Sequence, residues 1–407
     1  MSSQSLPARN ITLLLASTMT VMAGATIAPA LPAMEKAFAS VAHSEFLVKM
    51  VLAVPGLMIA IGAPLVGLLL DRWKKKKLLI GAAIAYGVTG VAGCFLEGSL
   101  YGLLISRILL GLAVAGVMVT CTTLVADYFQ GLERSRYMGL MAAFGGFGGV
   151  AFVALGGVLA EWHWTAPFAL YGLAFLVLPA LLLFIHEPVI HEPVIHNPSA
   201  QPGQGNTHSA DSSSPGKLTL LCYALAVVEL LLLYMVPVHL PFYAPELGIH
   251  SGVQAGMAIA LMLLVMSMTS VWYHRVQAKL SFPVLHGAGL LLLALGYGIL
   301  GSVSSVTAAL LALAISGVGL GFMRPNVVIW LLSVTPPALR GRVMGGLTTC
   351  FFVGQFICPL LTQPVVQTAG YANLFQGAGV LVLSITAIAL AGRYVYQLFY
   401  RAEPLTR

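Results

Sequence analysis

The sequence predicts an all-α membrane protein with twelve transmembrane helices in two pseudo-symmetric bundles of six. Its 407 residues are 59% hydrophobic and only 8% charged, whereas about 25% of a soluble domain is charged. The net charge of +7 could indicate a nucleic-acid partner, but the cations lie at the ends of apolar runs, where they orient helices in a bilayer. We therefore exclude nucleic acid and expect the lipid bilayer to surround the chain.

Twelve apolar runs support this fold class. A helix needs about 20 apolar residues to cross the hydrocarbon core of a membrane. Runs of that kind occupy residues 11–33, 46–70, 78–96, 101–125, 137–160, 165–185, 218–241, 253–273, 283–302, 306–334, 343–366 and 372–396.

Positive charge predicts the orientation of these helices. The second run stops at Asp71, and the next six residues include Arg72 and four lysines. Cytoplasmic loops are enriched in Lys and Arg. If successive loops alternate between the two sides, 16 of the 20 Lys and Arg residues lie in the cytoplasm. Lys36 and Lys49 lie on the outer side, and Arg107 and Arg324 lie within apolar runs. Both termini are expected in the cytoplasm, and the short loops favour a bacterial inner membrane.

A polar segment divides the chain into residues 1–185 and residues 218–407. The segment, 186–217, contains His-Glu-Pro-Val-Ile twice in tandem and is rich in Pro, Ser, Gly and Asn. Such a composition does not build a packed core, so we expect a flexible cytoplasmic linker. Its histidines could bind a metal ion, but a duplicated solvated linker is the simpler interpretation, and we predict no metal site.

The two halves repeat one another. The segment 133–139 (Glu-Arg-Ser-Arg-Tyr-Met-Gly) returns at 339–345 as Leu-Arg-Gly-Arg-Val-Met-Gly, an offset of 206 residues. The same offset pairs Gly111 with Gly317 and Gly148 with Gly354. Parallel repeats of six helices are found in transporters whose substrate site lies between the halves, near the middle of the bilayer.

Three motifs resemble those of the major facilitator superfamily, and in particular its proton-driven exporters. They are the loop pattern Gly67-x-x-x-Asp71-Arg72-x-x-Lys75-Lys76, the Arg107-x-x-x-Gly111 pair, and the glycine spacing of Gly139, Gly148, Gly156 and Gly157. The chain has Phe152-Val153 where the exporters carry Gly-Pro. The resemblance implies that helices one, four, seven and ten line a central cavity.

Two charges within the apolar runs are the leading candidates for transport chemistry. Glu229 is the one carboxylate deep in a run, and Arg324 lies at about the same depth, roughly 16 Å from the cytoplasmic end. An ionisable residue within a membrane is a functional candidate because burying its charge is costly. We predict that Glu229 carries the proton, while Arg324 either neutralises it or binds an acidic group of the substrate. A purely structural ion pair is the alternative.

Three further residues are weaker candidates. By resemblance, Arg107 would influence proton release from a neighbouring acid and contact the substrate, although it could instead reach towards the outer interface. Asn326, beside Arg324, and Thr26 are added as substrate contacts. A threonine hydroxyl can also bond to its own helix.

The charges at the cytoplasmic helix ends are predicted to form a gate. By resemblance, Asp71 would meet the N-terminus of the eleventh helix, a position that favours a negative charge. Lys75 would pair with Asp127, and Arg72 belongs to the same group.

The sequence thus predicts a secondary transporter that exports a small amphipathic compound in exchange for protons by alternating access. The compound could be anionic or zwitterionic, such as a drug or a metal-chelating metabolite. An importer or facilitator of a metabolite is the first alternative, and a membrane enzyme or sensor is the second. We expect a monomer with no cofactor and no enzymatic activity.

Overall fold

The computed structural model describes residues 5–70, 72–187, 216–336 and 339–400. These residues form helices joined by short turns, with no β-strand among them. The α-helices are α1 Ser5–Ala25, α2 Leu31–Ala37, α3 Ser44–Leu70, α4 Lys75–Val91, α5 Leu100–Tyr128, α6 Gly131–Trp162, α7 Leu173–Phe184, α8 Lys217–Tyr243, α9 Gly252–Gln277, α10 Phe282–Leu300, α11 Val306–Val334 and α12 Arg340–Tyr400.

The described helices provide twelve membrane crossings. Eleven helical segments are long and apolar enough to span a bilayer, and the last of them, Arg340–Ile388, has 49 residues. At 1.5 Å per residue it is about 70 Å long, more than twice the roughly 30 Å of a hydrocarbon core. Gly370 interrupts it with φ 82°, a left-handed conformation that glycine adopts readily, so α12 crosses twice. The predicted fold class is confirmed.

Proline and serine explain where several crossings bend or begin. The first crossing is α1, a 3₁₀ turn at Ala28–Ala30 and then α2, because Pro29 and Pro32 cannot donate the hydrogen bonds of a continuous α-helix. Ser99, Ser251 and Ser305 cap α5, α9 and α11, each accepting a hydrogen bond from the backbone N–H three residues later. Such N-caps stabilise a helix by about 1 kcal/mol.

Close contacts between the predicted halves lie mainly towards one side of the molecule. We call this the outer side; it carries the α2–α3 and α8–α9 connections. Here α6 meets α9 through glycines, with a β-carbon built at Gly157 lying only 2.7 Å from the Gly252 carbonyl oxygen. On the same side α3 packs against α12, and Gln355 Nε2 donates to the Leu52 carbonyl at 3.3 Å. The division into two bundles remains a prediction, and most of the linker, residues 188–215, lies outside the described part.

Lys49 is the lysine near the outer end of the second apolar run, 46–70, that the charge count assigned to the outer side. It lies in the second turn of α3, and its side chain is fully buried. Other side chains replace the water that usually surrounds a lysine near a helix end.

Candidate functional site

Glu229 lies in the middle of α8 with 1% of its surface exposed. Neither carboxylate oxygen has a hydrogen-bond partner among the described residues. Leaving an ionised carboxylate in this condition costs several kcal/mol. The position therefore suits a group that can change its protonation state.

Arg324 is the cation that acts electrostatically on the Glu229 carboxyl. It lies in α11 immediately before Pro325, and its guanidinium stacks over the Phe351 ring at 4.8 Å. No hydrogen bond or ion pair to another described residue satisfies it, so its N–H donors are available to an incoming acceptor. The two residues that the sequence placed at equal depth are thus electrostatic neighbours without a direct bond.

Close helix packing positions Glu229. A β-carbon at Gly354 of α12 would collide with the Val227 carbonyl oxygen of α8, so the absence of a side chain lets the two backbones meet two residues from Glu229. Towards the outer side, the Tyr234 hydroxyl lies 2.5 Å from where a Gly24 β-carbon would be. This contact joins α8 to α1 on the outer side of Glu229.

Arg107 is fully buried but does not meet Glu229. Its Nη2 donates to the Gly90 carbonyl at 3.0 Å, and its guanidinium lies 4.7 Å from the Phe168 ring and 5.0 Å from the Tyr171 ring. These partners come from α4 and the 3₁₀ segment before α7. The surroundings are those of a packed helix interface, and a role in proton coupling or substrate binding stays a prediction.

The polar side-chain groups of Asn326 and Thr26 already form hydrogen bonds within the protein. The Asn326 amide donates to the Phe282 carbonyl at 2.9 Å and accepts from the Tyr273 hydroxyl at 3.2 Å, tying α11 to α9 and α10. The Thr26 hydroxyl donates to the Met22 carbonyl at 2.5 Å. This is the bond to its own helix that was the alternative to a substrate contact. Their predicted substrate contacts remain untested.

The predicted pair between Lys75 and Asp127 is present, with Nζ 2.6 Å from Oδ2. Both residues belong to the first half of the chain, so this pair alone does not bridge the halves. Arg72 is exposed, and Asp71 lies outside the described residues. The gating role of the group is a prediction.

Sequence reasoning missed a polar network around Lys49. Its ammonium donates to Glu45 at 2.7 Å, to Gln363 at 2.6 Å and to the Tyr371 hydroxyl at 3.2 Å. The only local signal was the four-residue spacing of Glu45 and Lys49, which places both on one helix face. The partners in α12 are more than 300 residues away in sequence.

Comparison with known proteins shows the family to which this chain belongs. The family model of the Major Facilitator Superfamily matches residues 13–359. The chain belongs to this superfamily and is a multi-pass membrane transporter, not an enzyme. The alternative of a membrane enzyme or sensor is thereby set aside.

Individual relatives are more distant. The chain is 29% identical over 146 residues to the "Bacillibactin exporter" of Bacillus subtilis (strain 168), covering 34% of this chain and 36% of the relative. It is 31% identical over 169 residues to the "Tetracycline resistance protein, class E" of Escherichia coli, covering 40% of each. The matched segments therefore span well under half of these relatives.

Among solved structures, the chain resembles a bacterial homologue of the human lysosomal transporter spinster. The TM-score is 0.76 at 16% identity, and the alignment covers 96% of both chains. At this identity the likeness shows the fold alone.

Proposed function

We propose that this transporter exports a small amphipathic compound in exchange for protons, and that Glu229 carries the proton. The observation that carries the proposal is the Glu229 carboxyl, buried in the middle of α8 without a hydrogen-bond partner and within the electrostatic reach of Arg324. In this arrangement the neutral carboxylic acid is the favoured form, because an ionised one has lost its water without gaining a bond. When the helices rearrange to admit water or bring Arg324 closer, the same group releases its proton.

Arg324 supplies the link between proton and substrate. Its guanidinium stacks on Phe351, and its N–H donors suit an acidic group, which guanidinium binds through paired hydrogen bonds. An anion bound there would compete with ionised Glu229 for the same positive charge. Such an anion would therefore bind with Glu229 protonated, which couples proton and substrate in the same direction. Exchange requires instead that proton and substrate exclude one another, and the cationic group of a zwitterionic compound would meet this requirement by pairing with the ionised Glu229 carboxylate, which protonation removes.

Two observations favour export over import. The partial relatives include proteins named as an exporter of bacillibactin and as a tetracycline resistance protein. The glycine spacing of α6 is also shared with proton-driven exporters. Import of a metabolite is the second candidate, favoured by Phe152-Val153 in place of the exporters' Gly-Pro. We place the protein in a bacterial inner membrane with both termini in the cytoplasm.

The direction of transport separates the two candidates. In inside-out membrane vesicles, an acidic lumen corresponds to the outside of the cell. We expect tetracycline or bacillibactin to accumulate in such vesicles when the lumen is acidified, and to stop accumulating when a protonophore removes the gradient. Accumulation only in right-side-out vesicles with an acidic exterior would instead establish import.

A matched pair of variants tests the role of Glu229. Glu229→Gln keeps the shape of the side chain and removes its titration, so gradient-driven accumulation should be lost. Glu133→Gln makes the same change at an exposed site in the first turn of α6 and should transport normally. Unchanged accumulation by Glu229→Gln would remove Glu229 from the mechanism.

A further inference from the structure

Four polar side chains join α3 to α12 on the outer side; we call this group, Glu45, Lys49, Gln363 and Tyr371, the outer latch. The fully buried Lys49 ammonium donates to Glu45 Oε1 at 2.7 Å, Gln363 Oε1 at 2.6 Å and Tyr371 Oη at 3.2 Å. The Tyr371 hydroxyl in turn donates to Glu45 Oε1 at 2.7 Å. All three ammonium protons are therefore used, two of them across the interface between α3 and α12.

Aromatic rings exclude water from this charge. The Lys49 ammonium lies 4.7 Å from the centre of the Phe242 ring and 5.0 Å from that of Tyr371. Phe242 and Tyr371 are themselves stacked with centroids 6.2 Å apart. A buried ammonium without water is tolerated only where hydrogen bonds and a facing negative charge replace its hydration. The closed contact supplies these partners.

The contact between α3 and α12 continues inwards from the outer latch. Three residues of α12 lie eight residues apart and contact α3 one after another. Gln355 contacts Leu52, Gln363 contacts Lys49, and Tyr371 contacts Glu45. A β-carbon at Gly56 would lie 2.7 Å from Gln355 Cδ, so the helices are close at the inner end of this contact as well. The two helices are thus joined along the outer half of α3.

We propose that the outer latch holds the outer side of the transporter shut, and that its rupture is a required step when the substrate site opens outwards. When α3 and α12 separate, Lys49 keeps Glu45, which lies one turn away on its own helix, but loses Gln363 and Tyr371. The closed state is the one that satisfies Lys49 fully. This inference rests on the opposed movement of two halves that the fold implies, and not on the proposed proton exchange or on its direction.

Removing Lys49 itself would be a poor test. Replacing a buried charge by an apolar side chain of similar size is often neutral or stabilising, so Lys49→Met could leave the closed state intact. The informative variants keep the ammonium and remove its partners across the interface. Gln363→Met removes one hydrogen bond without adding charge. Tyr371→Phe keeps the ring over Lys49 and removes only the hydroxyl.

Gln363→Glu provides the opposite perturbation. It places a carboxylate where the Gln363 amide oxygen lies, 2.6 Å from the ammonium, and it should strengthen closure. Gln376→Glu is the matched control: it adds the same charge to the same helix at an exposed position, where the native amide donates to Ser302 Oγ at 3.3 Å and does not face α3.

The experiment measures the distance between nitroxide spin labels at Ala42 and Ser304, exposed positions in the outer connections of the two halves. The protein is reconstituted without substrate or pH gradient, in a background in which the five native cysteines are replaced. A second label pair, at Lys74 and Lys279, reports the opposite side. Because no transport is required, failure of the proton-exchange proposal would not change the result.

We expect Gln363→Met and Tyr371→Phe to raise the ratio of outward-open to outward-closed molecules about tenfold, the effect of losing a hydrogen bond to a charged group. The label pair on the opposite side should shorten in parallel. Gln363→Glu should leave the ratio at or below that of the unmodified chain, and Gln376→Glu should match the unmodified chain. The proposal is overturned if Gln363→Met and Tyr371→Phe leave the ratio unchanged, or if Gln363→Glu opens the outer side as much as Gln363→Met.

Discussion

The crossing of α6 and α9 predicts how one methyl group would change the balance between conformations. A β-carbon at Gly157 would lie 2.7 Å from the carbonyl oxygen of Gly252, 3.2 Å from Gly256 Cα and 3.3 Å from Val253 Cα. All three are backbone atoms, so no rotamer change relieves the contact. Gly157→Ala therefore requires α6 and α9 to separate by roughly 0.5 Å at the outer side.

The magnitude follows from this overpacking. Extra methyl groups in a packed interior cost about 1–3 kcal/mol, and the closed outer side bears this cost while an outward-open molecule, with these helices apart, does not. The ratio of open to closed molecules should consequently rise by about 5- to 150-fold. The higher helix propensity of alanine stabilises both conformations equally and does not contribute to the shift.

Spin-label distances between Ala42 and Ser304 would measure this shift. Gly139→Ala is the matched control, since it makes the same substitution in α6 with no atom within 4 Å of the added carbon. We expect a longer outer distance in Gly157→Ala and an unchanged one in Gly139→Ala. Identical distance distributions for the two variants would refute the reasoning that the glycine crossing holds the outer side closed.

Three further substitutions test the site and its supports. Arg324→Met should weaken binding of an anionic compound at least tenfold in calorimetric titration, whereas Arg324→Lys should retain part of it; equal affinity in both would contradict an anion-binding role. Asn326→Leu leaves the Tyr273 hydroxyl and a backbone carbonyl unpaired in the interior, at about 1–3 kcal/mol each, so the melting temperature in detergent should fall clearly. Lys75→Met removes a partly exposed ion pair with Asp127 and should change stability by less than about 1 kcal/mol, a prediction that a large drop in melting temperature would contradict.

Much of the fold could be predicted from the sequence because a bilayer imposes simple requirements. The length of an apolar run and the position of cations at its ends decide where a helix crosses, and these features are local. Equal depth in α8 and α11 likewise identified Glu229 and Arg324 as neighbours. The bend at Gly370 agrees with the predicted gap between the last two crossings.

Other features depend on packing that local sequence does not encode. The polar network of Lys49 was not predicted, because its partners Gln363 and Tyr371 are more than 300 residues away in sequence. Arg107 was placed near an acid by resemblance, yet it faces backbone carbonyls and aromatic rings. Asn326 lies beside Arg324 in sequence, but a helix directs successive side chains about 100° apart, and its amide faces α9 and α10.

The central claim concerns a proton carried by one buried carboxyl, and proton movement driven by substrate tests it most directly. Proteoliposomes containing a pH-sensitive dye would be exposed to a tetracycline gradient with no imposed pH difference. The unmodified protein should move protons against the drug flux, while Glu229→Gln should bind tetracycline and move no protons. Proton movement by Glu229→Gln equal to that of the unmodified protein would contradict the claim.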